Sequence, residues 1–553
     1  MAENAPPHPR VVFETSPDQY RHWTLDFPAE HGGKVARLLL DIPEDGGLRP
    51  GYPLKMNSYD LGVDIELADA VSRLRFEHPE VKALVFESKK DRIFCSGANI
   101  YMLGTSTHAF KVNFCKYTNE TRLGLEELSE FSGVSSLAAL NGTASGGGYE
   151  LAIACDEIVL QEDGSSAVSL PEAPLLGVLP GTGGLTRLVD KRKIRRDLAD
   201  VFSTLAEGVR GKRALEWRLV DEAPSKAAFA KSVSARLAKM TERSKRKSFK
   251  ALKLNPLSPE RTENGIAWKY VTLALDRAAR SATLTVRAPI EREPSTPDEL
   301  ASRGDKAWIV QAFRELDQAL LELRFNEPLI GVVGLHTTGS AENVLAVDAM
   351  LEAHKDDGLV NEVRLHVRRA LKRLDMTAKS FFALIDEGSV FAGTLFELTL
   401  AADRSYMLDQ DGITIALSAS NRGAFPMGNG LSRLESRFLG EPERVARVLS
   451  LEGPIDTATA QKEGLVTFAP DDIDWEDEVR IAFEERASMS PDAMTGMEAS
   501  LRYGGPETME TKIFGRLTAW QNWIFQRPNA VGARGALTLY GKPERPEYDF
   551  NRT

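Results

Sequence analysis

The chain has 553 residues, of which 42% are hydrophobic and 27% charged, so it is long enough for more than one domain and able to bury a core. Its formal net charge of −11 argues against general nucleic-acid binding. No apolar run approaches the ~20 residues that span a bilayer, and residues 1–7 lack the basic start and apolar stretch of a signal peptide.

Strands and helices are predicted to alternate along the first half of the chain. The apolar run at 34–41 predicts a strand, and helical spacing of apolar residues follows over 60–76. Further strands are predicted at 81–86, 134–140 and 157–160. Periodicity indicates later helices over 194–205 and 226–239. This pattern is typical of an α/β domain with buried parallel strands.

A glycine-rich segment precedes a short helix predicted at 150–154. Its sequence is Asn-Gly-Thr-Ala-Ser-Gly-Gly-Gly-Tyr-Glu-Leu, over residues 141–151. Three consecutive glycines leave the start of this helix without side chains. A ligand can therefore approach backbone N–H groups at the positive end of the helix. Glu150 on this helix and Glu172 in the later Leu-Pro-Glu segment provide two carboxyl groups for proton transfer. We therefore predict a site that stabilises negative charge and moves protons.

A second segment, Ile-Phe-Cys-Ser-Gly-Ala-Asn-Ile at 93–100, follows the strand predicted at 81–86 after a charged turn. On its own it is equally consistent with a tight turn packed against that strand. Together with the glycine triplet it resembles the crotonase (enoyl-CoA hydratase/isomerase) superfamily, whose members polarise acyl-CoA thioesters. The resemblance implies that the backbone N–H groups of Ala98 and Gly147 donate to the thioester oxygen, where negative charge accumulates.

The same resemblance implies roles for further residues. Glu150 and Glu172 occupy the positions of the two hydratase glutamates, and the presence of both favours chemistry that adds, removes or activates water. The residues expected to contact the substrate or its CoA are Lys55, Arg92, Ser96, Gly97 and Gly146. One feature departs from the family, because Tyr101 stands where a lysine usually follows Gly-Ala-x-x.

The chain also contains an internal repeat. Gly-Gly-Leu-Thr-Arg-Leu at 183–188 is echoed by Asn-Gly-Leu-Ser-Arg-Leu at 429–434, and similar segments precede and follow both copies. We therefore predict an α/β protein with two tandem crotonase-like domains, built from the family's ββα spiral units with C-terminal helices. The predicted boundaries are a catalytic domain at 1–286, with its C-terminal helices at 240–286, a linker at 287–305 and a second domain at 306–553.

The second copy lacks the residues that carry the chemistry of the first. The glycine triplet becomes Gly-Thr-Leu at 393–395, and the position of Glu172 falls on Ser418 or Ala419. Glu397 corresponds to Glu150, but the second copy has no glutamate that corresponds to Glu172. We therefore interpret Glu397 as a structural hydrogen-bonding residue. We expect one active site and a second half that serves as a packing partner, in place of a neighbouring crotonase subunit.

Three functions agree with these motifs to different degrees. An acyl-CoA enzyme that uses water and both glutamates agrees best. A 2-enoyl-CoA hydratase of β-oxidation would use the same glutamates, but such fusions usually carry a dinucleotide-binding domain, whose Gly-x-Gly-x-x-Gly motif the second half lacks. A non-catalytic acyl-CoA-binding scaffold would not require both glutamates.

The remaining expectations concern partners and compartment. The substrate would carry its own CoA, and we expect no separate cofactor, no metal, and no nucleic-acid or membrane partner. Three cysteines without metal-like spacing or a disulfide framework indicate a cytoplasmic protein. The family resemblance implies a homo-oligomer, with a dimer favoured.

Overall fold

The computed structural model describes residues 9–553, apart from the side chains of Met509, Ile513 and Leu517. The N-terminal residues in which no signal peptide is predicted therefore lie outside the described residues. The chain divides into two compact units, Met1–Pro256 and Leu257–Thr553. In the part of the chain that the structure describes, no helix combines the length and the apolar character needed to cross a membrane.

The first unit contains a large sheet and a small sheet. Its strands are β1 (Trp23–Asp26), β2 (Val35–Leu40), β3 (Ala83–Ser88), β4 (Arg92–Cys95), β5 (Ser135–Leu140), β6 (Gly142–Ser145), β7 (Glu157–Leu160), β8 (Ala167–Ser169) and β9 (Val209–Arg210). The large sheet has the order β1-β2-β3-β5-β7, in which β1 is antiparallel to β2 and all other neighbours are parallel. The small sheet has the order β4-β6-β8-β9, and only its β8–β9 pair is antiparallel.

Helices connect these strands. They are α1 (Leu61–Phe76), α2 (Ile100–Thr105), α3 (His108–Ser132), α4 (Gly147–Ala154), α5 (Gly184–Thr186), α6 (Arg196–Thr204), α7 (Gly211–Glu216) and α8 (Lys226–Arg243). The apolar side of α8 covers the large sheet, where Val233, Leu237 and Met240 pack on side chains of β2, β3, β5 and β7. The strands β3 and β5 are almost wholly buried, as expected for parallel strands with both faces covered.

The second unit also contains a large sheet and a small sheet. Its strands are β10 (Glu260–Thr262), β11 (Gly265–Ala267), β12 (Val271–Asp276), β13 (Ser281–Arg287), β14 (Val332–Thr338), β15 (Ser380–Ile385), β16 (Phe391–Ala392), β17 (Arg404–Met407), β18 (Thr414–Ala416) and β19 (Ile455–Asp456). The large sheet has the order β10-β11-β12-β13-β14-β15-β17, antiparallel up to β13 and parallel from β13 onward. In the small sheet β16 is parallel and β19 antiparallel to β18.

Its helices are α9 (Pro297–Arg303), α10 (Trp308–Leu321), α11 (Ala341–Ala353), α12 (Gly358–Met376), α13 (Phe396–Ala401), α14 (Arg433–Arg437), α15 (Pro442–Val448), α16 (Thr457–Lys462), α17 (Trp475–Ser488), α18 (Pro491–Leu501), α19 (Met509–Lys512), α20 (Thr518–Ile524), α21 (Pro528–Val531) and α22 (Ala536–Leu539). The strands β12, β13, β14, β15 and β17 have the same order and directions as β1, β2, β3, β5 and β7. Likewise β16 pairs with β18 as β6 pairs with β8, but no strand described in the second unit corresponds to β4.

The structure differs from the prediction at the boundary of the two units. The C-terminal helices predicted at 240–286 are wrong beyond residue 243, because α8 ends at Arg243, residues 244–259 form neither helix nor strand, and β10–β13 follow. Buried and exposed side chains alternate along β12 and β13, which is the period of a strand and not of a helix. Since β13 pairs with β14 over its whole length, this segment belongs to the second unit, which begins before the linker predicted at 287–305.

Candidate active site

The parallel pairing of β4 with β6 brings two loops together at one edge of the small sheet. The segment after β4 contains Gly97, and the segment after β6 contains Gly146 and Gly147. The two backbones approach closely, since a Cβ atom on Gly97 would lie 2.7 Å from the Gly147 nitrogen. Gly97 also has a φ of +85°, a conformation that residues with side chains rarely adopt. Any side chain at position 97 would therefore strain the loop and cover the Gly147 N–H.

The backbone N–H groups of Ala98 and Gly147 lie near each other at this edge of the small sheet. Tyr59 forms a parallel bridge to Ala98, in which the Tyr59 N–H donates to the Gly97 oxygen at 3.0 Å and its oxygen accepts from the Asn99 N–H at 2.9 Å. This bridge turns the Ala98 N–H to the opposite side. Gly147 is the first residue of α4, where N–H groups have no partner within the helix. A Cβ atom on Gly147 would lie 3.4 Å from the Ala98 nitrogen, so the structure brings the two groups together.

Glu150 lies in the first turn of α4 and is only 2% exposed, as expected from its apolar neighbours. Its Oε1 accepts hydrogen bonds from the N–H groups of Thr182 at 3.0 Å and Gly184 at 2.8 Å. Its Oε2 accepts from the Thr182 hydroxyl at 2.5 Å. A Cβ atom on Gly184 would lie 2.9 Å from Oε1. The repeated glycine motif therefore packs closely against this carboxylate and holds it in one orientation.

Glu172 begins the π-helical turn Glu172–Leu176, shortly after β8. The Gly146 N–H donates to the Ser169 oxygen at 3.0 Å, which holds this segment against the glycine triplet. A Cβ atom on Gly146 would consequently lie 2.7 Å from Oε1 of Glu172. Burial, and to a smaller extent the Glu150 carboxylate, raise the pKa of Glu172 to about 7. Its Oε2 is buried and has no hydrogen-bond partner within residues 9–553, so this carboxyl group can exchange a proton with a ligand or water at neutral pH.

The other residues predicted to contact the substrate lie around the ends of β4. Arg92 is the first residue of β4, and Ser96 directly follows the strand. The Ser96 N–H donates to the Met56 oxygen at 3.2 Å, next to Lys55. The side chains of Lys55 and Arg92 are exposed, so they lie outside the buried group around Glu150. Their contact with CoA stays a prediction.

Sequence reasoning missed the buried side chains behind the glycine triplet. The Tyr59 hydroxyl oxygen would lie 3.1 Å from a Cβ atom on Gly147, and it accepts a hydrogen bond from Arg122. Arg122 in turn forms an ion pair with Asp64 at 3.0 Å. The signal for this network was Asp64, an acidic residue among the apolar residues of α1. Its basic partner is on α3, 58 residues further along the chain.

The corresponding position of the second unit is filled by the chain itself. Gly393 has a φ of +49°, close to the +53° of Gly146, and Thr394 follows it as Gly147 follows Gly146. The Thr394 N–H donates to Oδ2 of Asp348 at 2.8 Å, and the Ser418 hydroxyl donates to the same oxygen at 2.6 Å. A buried carboxylate from α11 therefore accepts the hydrogen bond of the N–H group that corresponds to the Gly147 donor.

Glu172 is expected to lower the stability of the protein above neutral pH. Its pKa is about 7 in the folded state and ordinarily 4.5, so folding favours the protonated form. Stability is therefore lost as the pH rises from about 4.5 through about 7. We expect Glu172→Gln, which cannot ionise, to unfold at a higher urea concentration than the wild type at pH 8 and at the same concentration at pH 4. A wild-type advantage at pH 8 would contradict the raised pKa.

The chain is similar to several known proteins. Residues 51–264 match the enoyl-CoA hydratase/isomerase family. A benzoyl-CoA-dihydrodiol lyase from Aromatoleum evansii is 55% identical over 553 residues, which cover 99% of this chain and 99% of that protein. The alpha subunit of a fatty acid oxidation complex from Aliivibrio fischeri is 25% identical over 452 residues, covering 73% of this chain and 62% of the subunit.

Among solved structures, an enoyl-CoA hydratase from Geobacillus kaustophilus is 29% identical, with a TM-score of 0.35, and the match covers 40% of this chain and 75% of that chain. The relative from Aromatoleum evansii matches both units, whereas the family model matches mainly the first. The chain therefore belongs to the crotonase (enoyl-CoA hydratase/isomerase) superfamily, in the branch that includes benzoyl-CoA-dihydrodiol lyase.

Proposed function

We propose that the chain is the ring-opening lyase of aerobic benzoyl-CoA degradation. It would convert 2,3-epoxybenzoyl-CoA, or its dihydrodiol form, and water to 3,4-dehydroadipyl-CoA semialdehyde and formate. The observation that carries this proposal is the full-length similarity to the benzoyl-CoA-dihydrodiol lyase of Aromatoleum evansii. The substrate brings its own CoA, and the proposed reaction needs no further cofactor and no metal.

In this proposal the thioester oxygen accepts hydrogen bonds from the N–H groups of Ala98 and Gly147. Negative charge develops on that oxygen when the adjacent ring carbon gains electron density. Donors that are already in position stabilise this charge without reorganisation, and the loss of one typically costs ~10²–10³-fold in rate. The short distance between the two groups supports the assignment, as does the glycine at position 97, which leaves the Gly147 N–H uncovered.

The two glutamates would manage water and protons. The pKa of Glu172, about 7, suits it to take up a proton from water and return it within one turnover. Glu150 would act with it, its orientation fixed by the hydrogen bonds from Thr182 and Gly184. Hydration of the ring carbons next to the thioester would then permit cleavage of a C–C bond and the loss of one carbon as formate.

The experiment that tests this function offers two substrates to the purified protein. We expect formate from 2,3-epoxybenzoyl-CoA and little hydration of crotonyl-CoA, with formate measured enzymatically and acyl-CoA products measured by mass spectrometry. Rapid hydration of crotonyl-CoA without formate from the epoxide would instead identify a 2-enoyl-CoA hydratase. Binding of both esters without any turnover would identify a non-catalytic acyl-CoA-binding scaffold.

We further propose that the second unit is a crotonase-like domain without an active site. Its strand order, which repeats that of the first unit, supports the common fold. Two contacts support the loss of activity. The Thr394 N–H donates a hydrogen bond to the Asp348 carboxylate, and Glu397 forms a buried ion pair with Arg433 at 3.1 Å. This unit would then have a structural role.

Glu397→Gln is expected to leave formate release within a few-fold of wild type, because the proposed reaction does not involve this residue. The same change weakens the ion pair with Arg433, and breaking a buried pair is commonly destabilising by ~3–5 kcal/mol. We therefore expect a lower midpoint of thermal unfolding, measured by calorimetry beside the activity assay. A loss of turnover as severe as that of Glu150→Gln would contradict the single-site proposal.

We also propose that the protein is a cytoplasmic homo-oligomer, with a dimer favoured. All three cysteines, Cys95, Cys115 and Cys155, are free thiols, which agrees with a reducing compartment. The homo-oligomer follows from the resemblance to crotonases, whose subunits commonly pack against one another. Sedimentation equilibrium at several protein concentrations would test this state, and a monomer at all concentrations would contradict it.

A further inference from the structure

Tyr59 lies against both proposed backbone donors of the active site. Its backbone forms the bridge to Ala98, so the two residues are neighbours across this pairing. Its hydroxyl oxygen would lie 3.1 Å from a Cβ atom on Gly147, and the Ala98 nitrogen would lie 3.4 Å from the same point. The hydroxyl and both N–H groups therefore border one small space, which stays open because residue 147 has no side chain.

Arg122 determines how the Tyr59 hydroxyl forms hydrogen bonds. A guanidinium group can only donate, and Nη2 of Arg122 donates to the hydroxyl oxygen. Nη1 of Arg122 donates to Asp64 at 3.0 Å, and the guanidinium carbon lies 5.7 Å from the centre of the Tyr59 ring. All three side chains are buried. The hydroxyl thus accepts from Arg122, while its own hydrogen has no acceptor in the described part of the chain.

This environment makes the Tyr59 hydroxyl a strong hydrogen-bond donor. Accepting a hydrogen bond from a cation polarises the O–H group, and the effect is larger in a buried, low-dielectric site. Burial also raises the pKa of Tyr59 well above its ordinary value, so the hydroxyl keeps its hydrogen at neutral pH. Arg122 also pairs with Asp64 of α1, while the Tyr59 hydroxyl oxygen lies next to Gly147.

We propose that the Tyr59 hydroxyl is a third hydrogen-bond donor to the thioester oxygen, beside the N–H groups of Ala98 and Gly147. Arg122 is the residue that positions it. The proposal rests on the function proposed above. No covalent bond changes at Tyr59, because its hydrogen stays on the hydroxyl and its hydrogen bond strengthens as charge develops on the thioester oxygen.

The direct test measures the carbonyl group of bound benzoyl-CoA, which has the thioester but not the reactive epoxide. With ¹³C at the thioester carbon, isotope-edited infrared spectra report the hydrogen bonds to its oxygen. We expect the C=O stretch to move to lower frequency on binding to the wild type, and to move back part of the way in Tyr59→Phe. An identical frequency in both proteins would overturn the proposal.

Kinetics provide the second readout. We expect Tyr59→Phe to lower kcat for formate release by about 10²-fold, the lower end of the range for one lost oxyanion donor, with KM nearly unchanged. Arg122→Lys keeps the charge but loses the forked geometry, so an intermediate frequency and rate are expected. Because Arg122 acts through Tyr59, the double variant should be no slower than Tyr59→Phe alone.

Tyr149→Phe is the matched control. Tyr149 is another buried tyrosine of the first unit, but its hydroxyl donates to the Leu219 oxygen at 2.7 Å and not toward the thioester site. It should keep the wild-type carbonyl frequency. If Tyr59→Phe lowered the unfolding temperature but left the carbonyl frequency and kcat unchanged, Tyr59 would be a structural residue. If Tyr59→Phe reversed part of the wild-type frequency shift but the wild type released no formate, the proposed function would fail while the role of Tyr59 would stand.

Discussion

Glu172→Gln and Glu150→Gln are each expected to reduce formate release from 2,3-epoxybenzoyl-CoA by about 10²–10⁴-fold. Both carboxyl groups would manage one water and the same ring atoms, and residues that act as one unit are not additive. The double variant should therefore be hardly slower than either single variant. Affinity for the CoA ester, measured by calorimetric titration, should stay near the wild-type value because the backbone donors are unchanged.

The pH profile separates the two glutamates. The wild type should show a change in kcat/KM near pH 7, from the pKa of about 7 of Glu172, and Glu172→Gln should lack it. A rate that rises through this pH would identify Glu172 as the base, and one that falls would identify it as the acid. Near-normal formate release from both single variants would contradict the mechanism, and multiplicative losses would place the two groups in separate steps. Glu397→Gln is the control, because it changes the equivalent glutamate of the second unit.

Gly147→Pro is expected to abolish turnover. Proline lacks an N–H group, and position 147 is the first of α4, where proline is sterically tolerated in helices. The variant therefore removes one proposed donor, and its side chain also fills the space beside the Tyr59 hydroxyl. Formate release should fall by at least the ~10²–10³-fold typical of one lost oxyanion donor. Turnover retained in a folded variant, as judged by circular dichroism, would show that the thioester is held elsewhere.

Gly97→Ala tests the same donor without changing residue 147. The new Cβ atom would lie 2.7 Å from both the Gly147 nitrogen and the Ser145 oxygen, so it would crowd the Gly147 N–H. We expect a large loss of turnover here as well. Gly104→Ala is the control, because a Cβ atom there would meet no atom within 4 Å and it lies in the nearby helix α2. It should keep both activity and stability.

Several features of this protein follow from local sequence. The residues at 146–148 leave a bare backbone because glycine has no side chain, whatever surrounds it. The periodicity of apolar residues predicted β2, α1, β5 and β7 to within a residue or two of their observed bounds. The positions of Glu150 and Glu172 were recognisable because each lies within a short motif. These signals are local, and a single sequence displays them directly.

The boundary between the units was misplaced although its signal was local. Alternating apolar residues mark β12 and β13 as strands, but the family resemblance suggested helices for the same residues. Which unit these strands join is a different matter. It depends on the pairing of β13 with β14, and the two are separated by α9 and α10. Pairing between distant segments is set by the packing of the whole sheet.

Only the tertiary structure decided how the two potential sites differ. In the first unit, burial and the Glu150 carboxylate raise the pKa of Glu172. The type of a residue does not tell whether its side chain is buried in the folded chain. In the second unit, the carboxylate of Asp348 reaches the Thr394 N–H from 46 residues away. The sequence by itself determined where backbone donors and carboxyl groups can exist. The folded chain decided which donors stay open to a ligand, because that depends on side chains contributed by distant helices.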